Sequence, residues 1–312
     1  MNNSVTVQPQ PPQRPLARPA LIGGLAIAIA AAVLFSTKAI VAKLLYRHAL
    51  DAVTVLALRM LFSLPVFAAV ALWQMRSKAP LLPADRWRLV GLGLIGYYVS
   101  SFLDFLGLQF ISVGLERLIL FLTPTFVLLI TAVWLKRRIG GWEWLALALS
   151  YCGIVLVFVH DLGSGAGDAG NVLTGALFVL GSALSYAAYL LGSGELVRRI
   201  GSLRLVSYAM CVSSVACIGQ FFVLRPAALL IQPGAVLGLS LVNGVLCTIL
   251  PVFMTMAAIE RIGATTASQA GMIGPVSTLF LGALILGEPI TTIQLAGTGL
   301  VFAGIYLLSK KK

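Results

Sequence analysis

The chain has 312 residues, of which 59% are hydrophobic and 10% are charged, and its formal net charge is +12. A soluble domain carries roughly 25% charged residues, so this composition excludes an ordinary soluble enzyme, a disordered protein and a secreted disulfide scaffold. It predicts instead an all-α polytopic membrane protein. The cysteines lie inside apolar stretches without CxxC spacing, and we interpret them as packing residues: Cys152, Cys211, Cys217 and Cys247.

Ten apolar runs are long enough to be transmembrane helices, because a bilayer core about 30 Å thick needs about 20 helical residues. Charges, prolines and glycine clusters set their limits. In chain order, the predicted spans are 20–46, 52–73, 88–110, 113–134, 142–159, 172–192, 203–224, 234–259, 264–286 and 292–308. We expect a disordered cytoplasmic tail at 1–19, an outer loop at 160–171 and a basic cytoplasmic tail at 309–312.

The basic residues predict the orientation, because cytoplasmic loops carry an excess of Lys and Arg. With a cytoplasmic N-terminus, the outer connections contain only Arg47 and Arg225, and the loop 160–171 contains neither Lys nor Arg. The cytoplasmic segments then contain Arg14, Arg18, Arg76, Lys78, Arg86, Arg88, Lys136, Arg137, Arg138, Arg198, Arg199, Arg204, Arg261, Lys310, Lys311 and Lys312. Both termini are therefore predicted to be cytoplasmic. The positive charge needs no nucleic-acid partner, and the pattern fits a bacterial inner membrane.

The chain matches itself when it is shifted by 151 residues. Pro124 then falls on Pro275, Gly153 falls on Gly304, and Arg47 falls on Arg198. The match predicts two repeats of five spans each, at 20–159 and 172–308. Because five is an odd number, the second repeat enters the membrane from the opposite side. Inverted repeats are typical of transporters that bind their substrate near the midplane, between the halves.

Several residues and motifs of both repeats carry a family resemblance. They are Lys38, Arg59, the stretch Leu118 to Leu135 with Pro124, and Pro275 followed by Leu286-Gly287-Glu288-Pro289. The chain resembles the drug/metabolite transporter superfamily, in particular its EamA-like members with two five-helix repeats. The first repeat departs from the "LGE" ending, because Leu135-Lys136-Arg137 stands there. The resemblance implies a secondary transporter, often an exporter of amino acids or other small metabolites, with a central cavity between the repeats.

Charged residues within the predicted spans are candidates for that cavity. A charge at the bilayer centre costs about 2.5–3.5 kcal/mol on insertion scales, so it should face protein or water. Lys38 either snorkels outward or lines a cavity, whereas Lys43 is expected to be an interface anchor. Arg59 binds either helix carbonyls or an anion. Asp104 needs a buried partner, which Lys38 or Arg59 could supply, and it could alternatively handle a substrate or a proton.

The start of the fourth span allows two interpretations. Glu116 and Arg117 could be wet charges at a helix end, where an acid favours the helix dipole. Alternatively, the face that Glu116 shares with Thr123 could lead into the cavity. Pro124 and Pro275 occupy equivalent places in the repeats, and we expect them to kink their helices and act as hinges.

Uncharged polar residues on the third, sixth, eighth and ninth spans are further candidate substrate contacts. Tyr97 and Ser101 continue the stripe that contains Asp104, and Tyr186 and Tyr189 share one face of the sixth span. Further candidates are Asn243 in the eighth span and Gln269 in the ninth. Each of these residues could instead form a hydrogen bond between helices.

A secondary transporter working by alternating access is the function that these patterns favour. The sequence contains no P-loop, so an ion gradient would drive uphill transport, with protons taken up at Asp104 or Glu116 as one hypothesis. Lys38 and Arg59 favour an amino acid or an organic anion as substrate, with export as the expected direction. We expect a monomer without a cofactor. A lipid-modifying membrane enzyme is one alternative, but the only two histidines, His48 and His160, are far apart in the sequence and lack metal-ligand spacing. A channel is a second alternative.

Overall fold

The computed structural model describes residues 18–134, 136, 139–163 and 169–309, and every regular element within them is helical. The first half contains α1 (Arg18–Tyr46), α2 (Ala52–Ser77), α3 (Pro83–Gly93), a π-helical segment (Leu94–Val99), α4 (Ser100–Leu108), α5 (Val113–Leu120), α6 (Thr123–Trp134) and α7 (Gly141–Gly163).

The second half repeats this order of elements and adds a 3-10 turn and a second π-helical segment. Its elements are α8 (Ala169–Ile200), α9 (Ser202–Leu224), a 3-10 turn (Ala227–Leu230), α10 (Gly234–Gly244), a π-helical segment (Val245–Ile249), α11 (Leu250–Ile262), α12 (Ala264–Gly271), α13 (Ile273–Leu281), a π-helical segment (Gly282–Leu286) and α14 (Thr292–Ser309).

Within the described residues, nine helical units are long and apolar enough to cross a membrane. The protein is therefore an all-α polytopic membrane protein, as predicted. The last unit, Thr292–Leu307, is apolar but shorter than the others. At 1.5 Å per residue, it spans about 24 Å, less than the bilayer core. The tenth span stays a prediction.

Several predicted boundaries were wrong, because polar helix ends continue beyond the apolar runs. The expected outer loop 160–171 is helical at 160–163 and at 169–171, whereas 164–168 lie outside the described residues. The hydroxyl of Ser112 donates a 2.6 Å hydrogen bond to Asp161, which holds the last turn of α7 in place. At the tails, residues 18 and 19 and Ser309 are helical, and the other tail residues lie outside the described part.

Two further boundaries moved because of local helix signals. The third span begins at Pro83 instead of 88, since proline is well suited to the first helical turn. The sixth span continues to Ile200, eight residues beyond its predicted end, as a polar extension of α8. The predicted spans 113–134 and 264–286 are each divided, at Phe121–Leu122 and at Met272.

The 151-residue shift reappears in the packing of the helices. Helix α1 packs along α11, and the equivalent helices α8 and α4 pack in the same way. Helices α2 and α9 pack against each other, as do α7 and α14. The π-helical segments that begin at Leu94 and Val245 also stand 151 residues apart.

Glycines permit the close packing of α7 against α14. A Cβ atom added to Gly153 would lie 2.5 Å from the carbonyl oxygen of Gly297, and one added to Gly297 would lie 2.7 Å from that of Gly153. Such mutual close approach of small residues is a common way for membrane helices to associate, since lipid provides no hydrophobic force between them.

Contacts between distant segments define two ends of the bundle. At the first, which we call the Asp51 end, Arg225 forms a 2.8 Å ion pair with Asp51, and Arg47 donates a 2.8 Å hydrogen bond to the carbonyl of Leu286. At the second, the Asp85 end, Arg199 forms a 2.5 Å ion pair with Asp85. Helix α2, with 26 residues and a length of about 39 Å, separates the two ends.

Candidate functional site

A buried ion pair between α1 and α4 forms the centre of the candidate site. Lys38 donates a hydrogen bond from Nζ to Oδ2 of Asp104, and the two side chains are 6% and 3% exposed. Glu116 of α5 places Oε1 4.0 Å from the same Nζ atom. The structure confirms that Asp104 has a buried partner and that this partner is Lys38. Lys38 therefore does not snorkel toward the membrane surface.

Arg117, adjacent to Glu116 on α5, is also buried. Its Nε donates a 3.1 Å hydrogen bond to the hydroxyl of Thr278, and its Nη2 donates a 3.2 Å hydrogen bond to the carbonyl of Phe35. The interpretation of Glu116 and Arg117 as wet charges was wrong, because their exposed fractions are 0% and 5%. Arg117 contacts α1 and α13, and Glu116 contacts Lys38 of α1, so both charges face protein.

Arg59 brings a third cation into the interior from α2. Its Nε donates a 2.7 Å hydrogen bond to the hydroxyl of Thr248, which in turn donates a 2.8 Å hydrogen bond to the carbonyl of Asn243. Its Nη1 atom is buried and has no hydrogen-bond partner among the described residues. The guanidinium group lies over the ring of Phe105, with 5.2 Å between Cζ and the ring centroid.

We call Lys38, Arg59, Asp104, Glu116 and Arg117 the charged cluster. With all groups ionised, its three cations and two carboxylates give a net charge of +1. The rings of Phe35 and Phe105 lie between the cations: Lys38 is 5.3 Å and 5.6 Å from their centroids, and Arg117 is 5.6 Å from that of Phe35. Several buried polar atoms, including both carboxylate oxygens of Glu116, have no hydrogen-bond partner among the described residues.

Three tyrosines form a separate group between the π-helical segment at Leu94 and α8. The hydroxyls of Tyr97 and Tyr189 lie 3.4 Å apart, Tyr97 contacts both other rings edge-on, and Tyr186 stacks on Tyr189. We call these residues the tyrosine cluster. Gly96 is required here, because a Cβ atom at that position would collide with the ring of Tyr189.

The remaining predicted site residues are not joined to the charged cluster by a hydrogen bond in the described part of the chain. Thr123 donates a 2.6 Å hydrogen bond to the carbonyl of Leu120, Gln269 is exposed, and Ser101 is half-buried. The side chain of Asn243 is buried and makes no hydrogen bond to a described residue, although its carbonyl binds Thr248. Asn243 therefore reaches the cluster only through its backbone.

The two predicted hinge prolines lie just after the helix interruptions. Pro124 is the second residue of α6, and Pro275 is the third residue of α13. Proline has no N–H group to bond the carbonyl four residues earlier. At the first interruption that carbonyl belongs to Leu120, and it accepts the hydroxyl of Thr123 instead. A hinge role for both prolines stays a prediction.

A cavity of about 340 Å³ opens at the Asp51 end, and the sequence interpretation missed it. It is lined by Lys43, Tyr46, Arg47, Gln109, Leu286 and Glu288. The shared helix face of Lys43, Tyr46 and Arg47 was the available signal, since their spacing of three and four residues places them together. Lys43, expected to be an interface anchor, therefore lines a cavity. We call this space the end cavity.

The walls of the end cavity are fixed by hydrogen bonds to neighbouring helices. Tyr46 donates a 2.7 Å hydrogen bond to the carbonyl of Phe105, and Glu288 accepts a 3.3 Å hydrogen bond from the N–H of Val113. Burial raises the pKa of the Glu288 carboxyl group, while the nearby cation Lys43 opposes that rise.

A polytopic helical bundle with paired charges buried between its helices defines an integral membrane protein with a polar interior. Comparison with protein families identifies this class further. The chain belongs to the EamA-like transporter family, whose pattern matches residues 22–159 and again 173–310. It is a membrane transporter.

Similar proteins agree with this assignment. The uncharacterized transporter YcbK of Bacillus subtilis is 32% identical over 281 residues, which cover 86% of this chain and 87% of YcbK. An uncharacterized transporter of Archaeoglobus fulgidus is 25% identical over 265 residues, covering 84% and 90% of the two chains. A solved crystal structure with 16% identity covers 92% of this chain and 95% of its own, with a TM-score of 0.63, and so shares the fold.

Proposed function

We propose that this transporter is a secondary carrier that moves a small metabolite with a carboxylate group, an amino acid or an organic anion, by alternating access. In the proposed orientation, the Asp51 end faces outward from a bacterial inner membrane and both termini are cytoplasmic. The direction is export, and the monomer is the working unit. The two family matches and the recurrent packing at 151 residues support a carrier in which the halves rock against each other.

The proposed substrate class rests on the hydrogen bonding of Arg59. Asp104 binds Lys38 through Oδ2, and the buried Nη1 of Arg59 has a hydrogen to donate and no acceptor among the described residues. A substrate carboxylate would supply the acceptor in a charge-assisted hydrogen bond.

Glu116 supports proton coupling as part of the same proposal. Both of its oxygens are buried without hydrogen-bond donors among the described residues, and its nearest cation, Lys38, is already bound to Asp104. A buried carboxylate in this situation is stabilised by taking up a proton. In proteoliposomes, we expect Asp104→Asn or Glu116→Gln to abolish the response of uptake to a pH gradient. A normal response in both variants would reject the two acids as coupling sites.

The first experiment identifies the substrate. Metabolites are compared inside and outside cells that lack or overproduce the protein. An amino acid or organic anion that accumulates inside the deletion strain, and outside the overproducer, gives both substrate and direction. The compound is then tested for counterflow in proteoliposomes, which a carrier supports and a channel or a lipid-modifying enzyme does not.

Variants of Arg59 then test the site itself. Removing a hydrogen bond to a charged group costs about 1.5–3 kcal/mol, so Arg59→Gln should lower kcat/KM roughly 10- to 100-fold. Arg59→Lys keeps the charge and should retain part of the activity. The matched control is Arg76→Gln, an exposed arginine on the same helix. Unchanged kcat/KM in a folded Arg59→Gln protein would contradict the proposal.

A further inference from the structure

The end cavity contains both signs of charge on facing walls. Lys43 lies on the last turn of α1, Arg47 directly follows that helix, and Glu288 lies beyond the end of the π-helical segment that follows α13. Lys43 forms no salt bridge within the described part of the chain. Arg47 uses Nη2 for the carbonyl of Leu286, and Glu288 uses one oxygen for the N–H of Val113. These hydrogen bonds hold Arg47 and Glu288 in place, and the charges of both residues and of Lys43 remain available to a ligand in the cavity.

We infer that the end cavity is a second binding site, which takes the zwitterion of an α-amino acid with its carboxylate between Lys43 and Arg47 and its ammonium group at Glu288. The inference rests on the proposed function and narrows it from carboxylate metabolites to amino acids. The volume of about 340 Å³ lies at the lower end of the range for ligand pockets, roughly 300–1,000 Å³, and suits a small solute.

In the proposed site, Glu288 makes binding selective for an amino acid over a simple organic anion. A solute with a carboxylate and no ammonium group would meet the two cations but would also bring its charge close to the Glu288 carboxylate. Such like-charge contact is a means of rejecting a wrong ligand. The ammonium group of an amino acid converts this repulsion into attraction. Gln109 adds an amide that can donate to the substrate carboxylate.

The end cavity is connected to the charged cluster through one residue. Tyr46, on the cavity wall, donates its hydroxyl hydrogen to the carbonyl of Phe105, whose ring contacts Lys38 and Arg59. Along α1, Lys43 lies five residues beyond Lys38, which corresponds to a rise of about 7.5 Å. A solute that leaves the charged cluster toward the Asp51 end therefore meets the end cavity next.

The opposite end of the bundle cannot provide the same site. At the shift of 151 residues, Lys43 corresponds to Gly194 and Glu288 corresponds to Arg137. Of the two cations in the proposed site, Lys43 has no counterpart and Arg47 corresponds to Arg198, while the acid Glu288 is replaced by a base. The amino-acid site thus serves only the Asp51 end, although the helices around it recur in both halves.

The test uses the full-length protein in proteoliposomes with the amino acid identified in cells, its α-amide and its desamino acid. Each analogue is added on the side of the Asp51 end as a competitor of counterflow. Glu288→Gln keeps an oxygen for the N–H of Val113 but loses the charge. We expect its preference for the amino acid over the desamino acid to fall about fivefold. Lys43→Gln should lose the preference over the α-amide to a similar extent, and Lys43→Arg should restore it.

The controls are Glu260→Gln and Lys78→Gln, which remove exposed charges at the Asp85 end and should leave both preferences unchanged. If Glu288→Gln and Lys43→Gln keep the wild-type preferences while Arg59→Gln loses transport, the end site is refuted and the proposed function survives. If Arg59→Gln transports normally while the Glu288 and Lys43 variants lose their preferences, the proposed central site fails and the end site stands.

Discussion

The two halves of the transporter place different chemistry at equivalent positions. At the shift of 151 residues, Lys38 corresponds to Tyr189, Phe35 to Tyr186, and Thr248 to Tyr97. The tyrosine cluster therefore occupies the positions equivalent to Lys38 and to two residues that contact the charged cluster. Arg59, Asp104 and Glu116 correspond to the uncharged residues Met210, Thr255 and Ala267.

The arrangement of the helices is therefore repeated in the two halves, whereas the buried polar residues are not. The helices, the π-helical segments that begin at Leu94 and Val245, and the interruptions at Phe121 and Met272 recur at this shift. The buried charges do not recur, because each one costs free energy and needs its own partners. A single charged cluster can serve both states of a carrier, since the solute passes the same midplane in either direction.

The largest expected effect follows removal of the central cation. Lys38→Met leaves Asp104 and Glu116 buried without their nearest cation, and breaking a buried pair in this way costs about 3–5 kcal/mol. The double variant Lys38→Met/Asp104→Leu removes the pair together and should recover much of the loss. The measurement is the free energy of unfolding in detergent or the shift in melting temperature. A single variant as stable as the wild type would show that the ion pair does not hold the first half together.

The sequence contained enough to predict that pair but not all of its surroundings. The cost of a charge in lipid required a partner for Asp104, and Lys38 was one of two candidates at a suitable depth. The burial of Arg117 could not be predicted, because it depends on where α13 crosses α5. The end cavity combines residues from three distant segments, including Arg47, Gln109 and Glu288, and each of them looks like an ordinary loop or helix-end residue.

The π-helical segments were missed for a different reason. Their sequences, LIGYYV and VLCTI, contain no signal for the extra residue that a π-helical turn accommodates. Tyr97 and Asp104 are seven residues apart, a spacing that places two side chains on one face of a continuous α-helix, and the wider π-helical turn between them changes that register. In the structure, Tyr97 belongs to the tyrosine cluster and Asp104 to the charged cluster.

Valine substitutions at two equivalent positions compare the packing of the two halves. Gly96 and Cys247 are equivalent at the shift of 151 residues. Gly96→Val should cost about 1–3 kcal/mol or more, because its side chain would overlap the ring of Tyr189. Cys247→Val adds one heavy atom to a position that already holds a side chain and removes the 3.0 Å contact between the thiol and the Thr37 hydroxyl, and it should cost less than Gly96→Val, about 1 kcal/mol. Thermal unfolding of both proteins measures the difference, and equal losses would show that the two halves are packed alike.

A smaller effect is expected from pH at the Asp51 end. Burial raises the pKa of the Glu288 carboxyl group, and the groups that face it are Lys43, Arg47 and Asp161. Its carboxylate form is present above the raised pKa and is lost as the pH falls through that value. The apparent affinity for the amino acid on this side should then fall about fivefold, as for an ion pair of about 1 kcal/mol. Glu288→Gln should show no such dependence, and a wild-type profile retained in that variant would assign the titration elsewhere.

The smallest expected effect concerns the tyrosine cluster, where the hydroxyls of Tyr97 and Tyr189 lie 3.4 Å apart. Because this distance is long for two oxygens, Tyr189→Phe should cost no more than about 0.5 kcal/mol, the lower limit for a hydrogen bond. The rings of Tyr186 and Tyr189 pack on each other and on Leu89 and Leu196, so KM should also stay unchanged. A rise in KM in Tyr189→Phe, with stability retained, would mean that the solute contacts this cluster and that both halves bind it, each with its own chemistry.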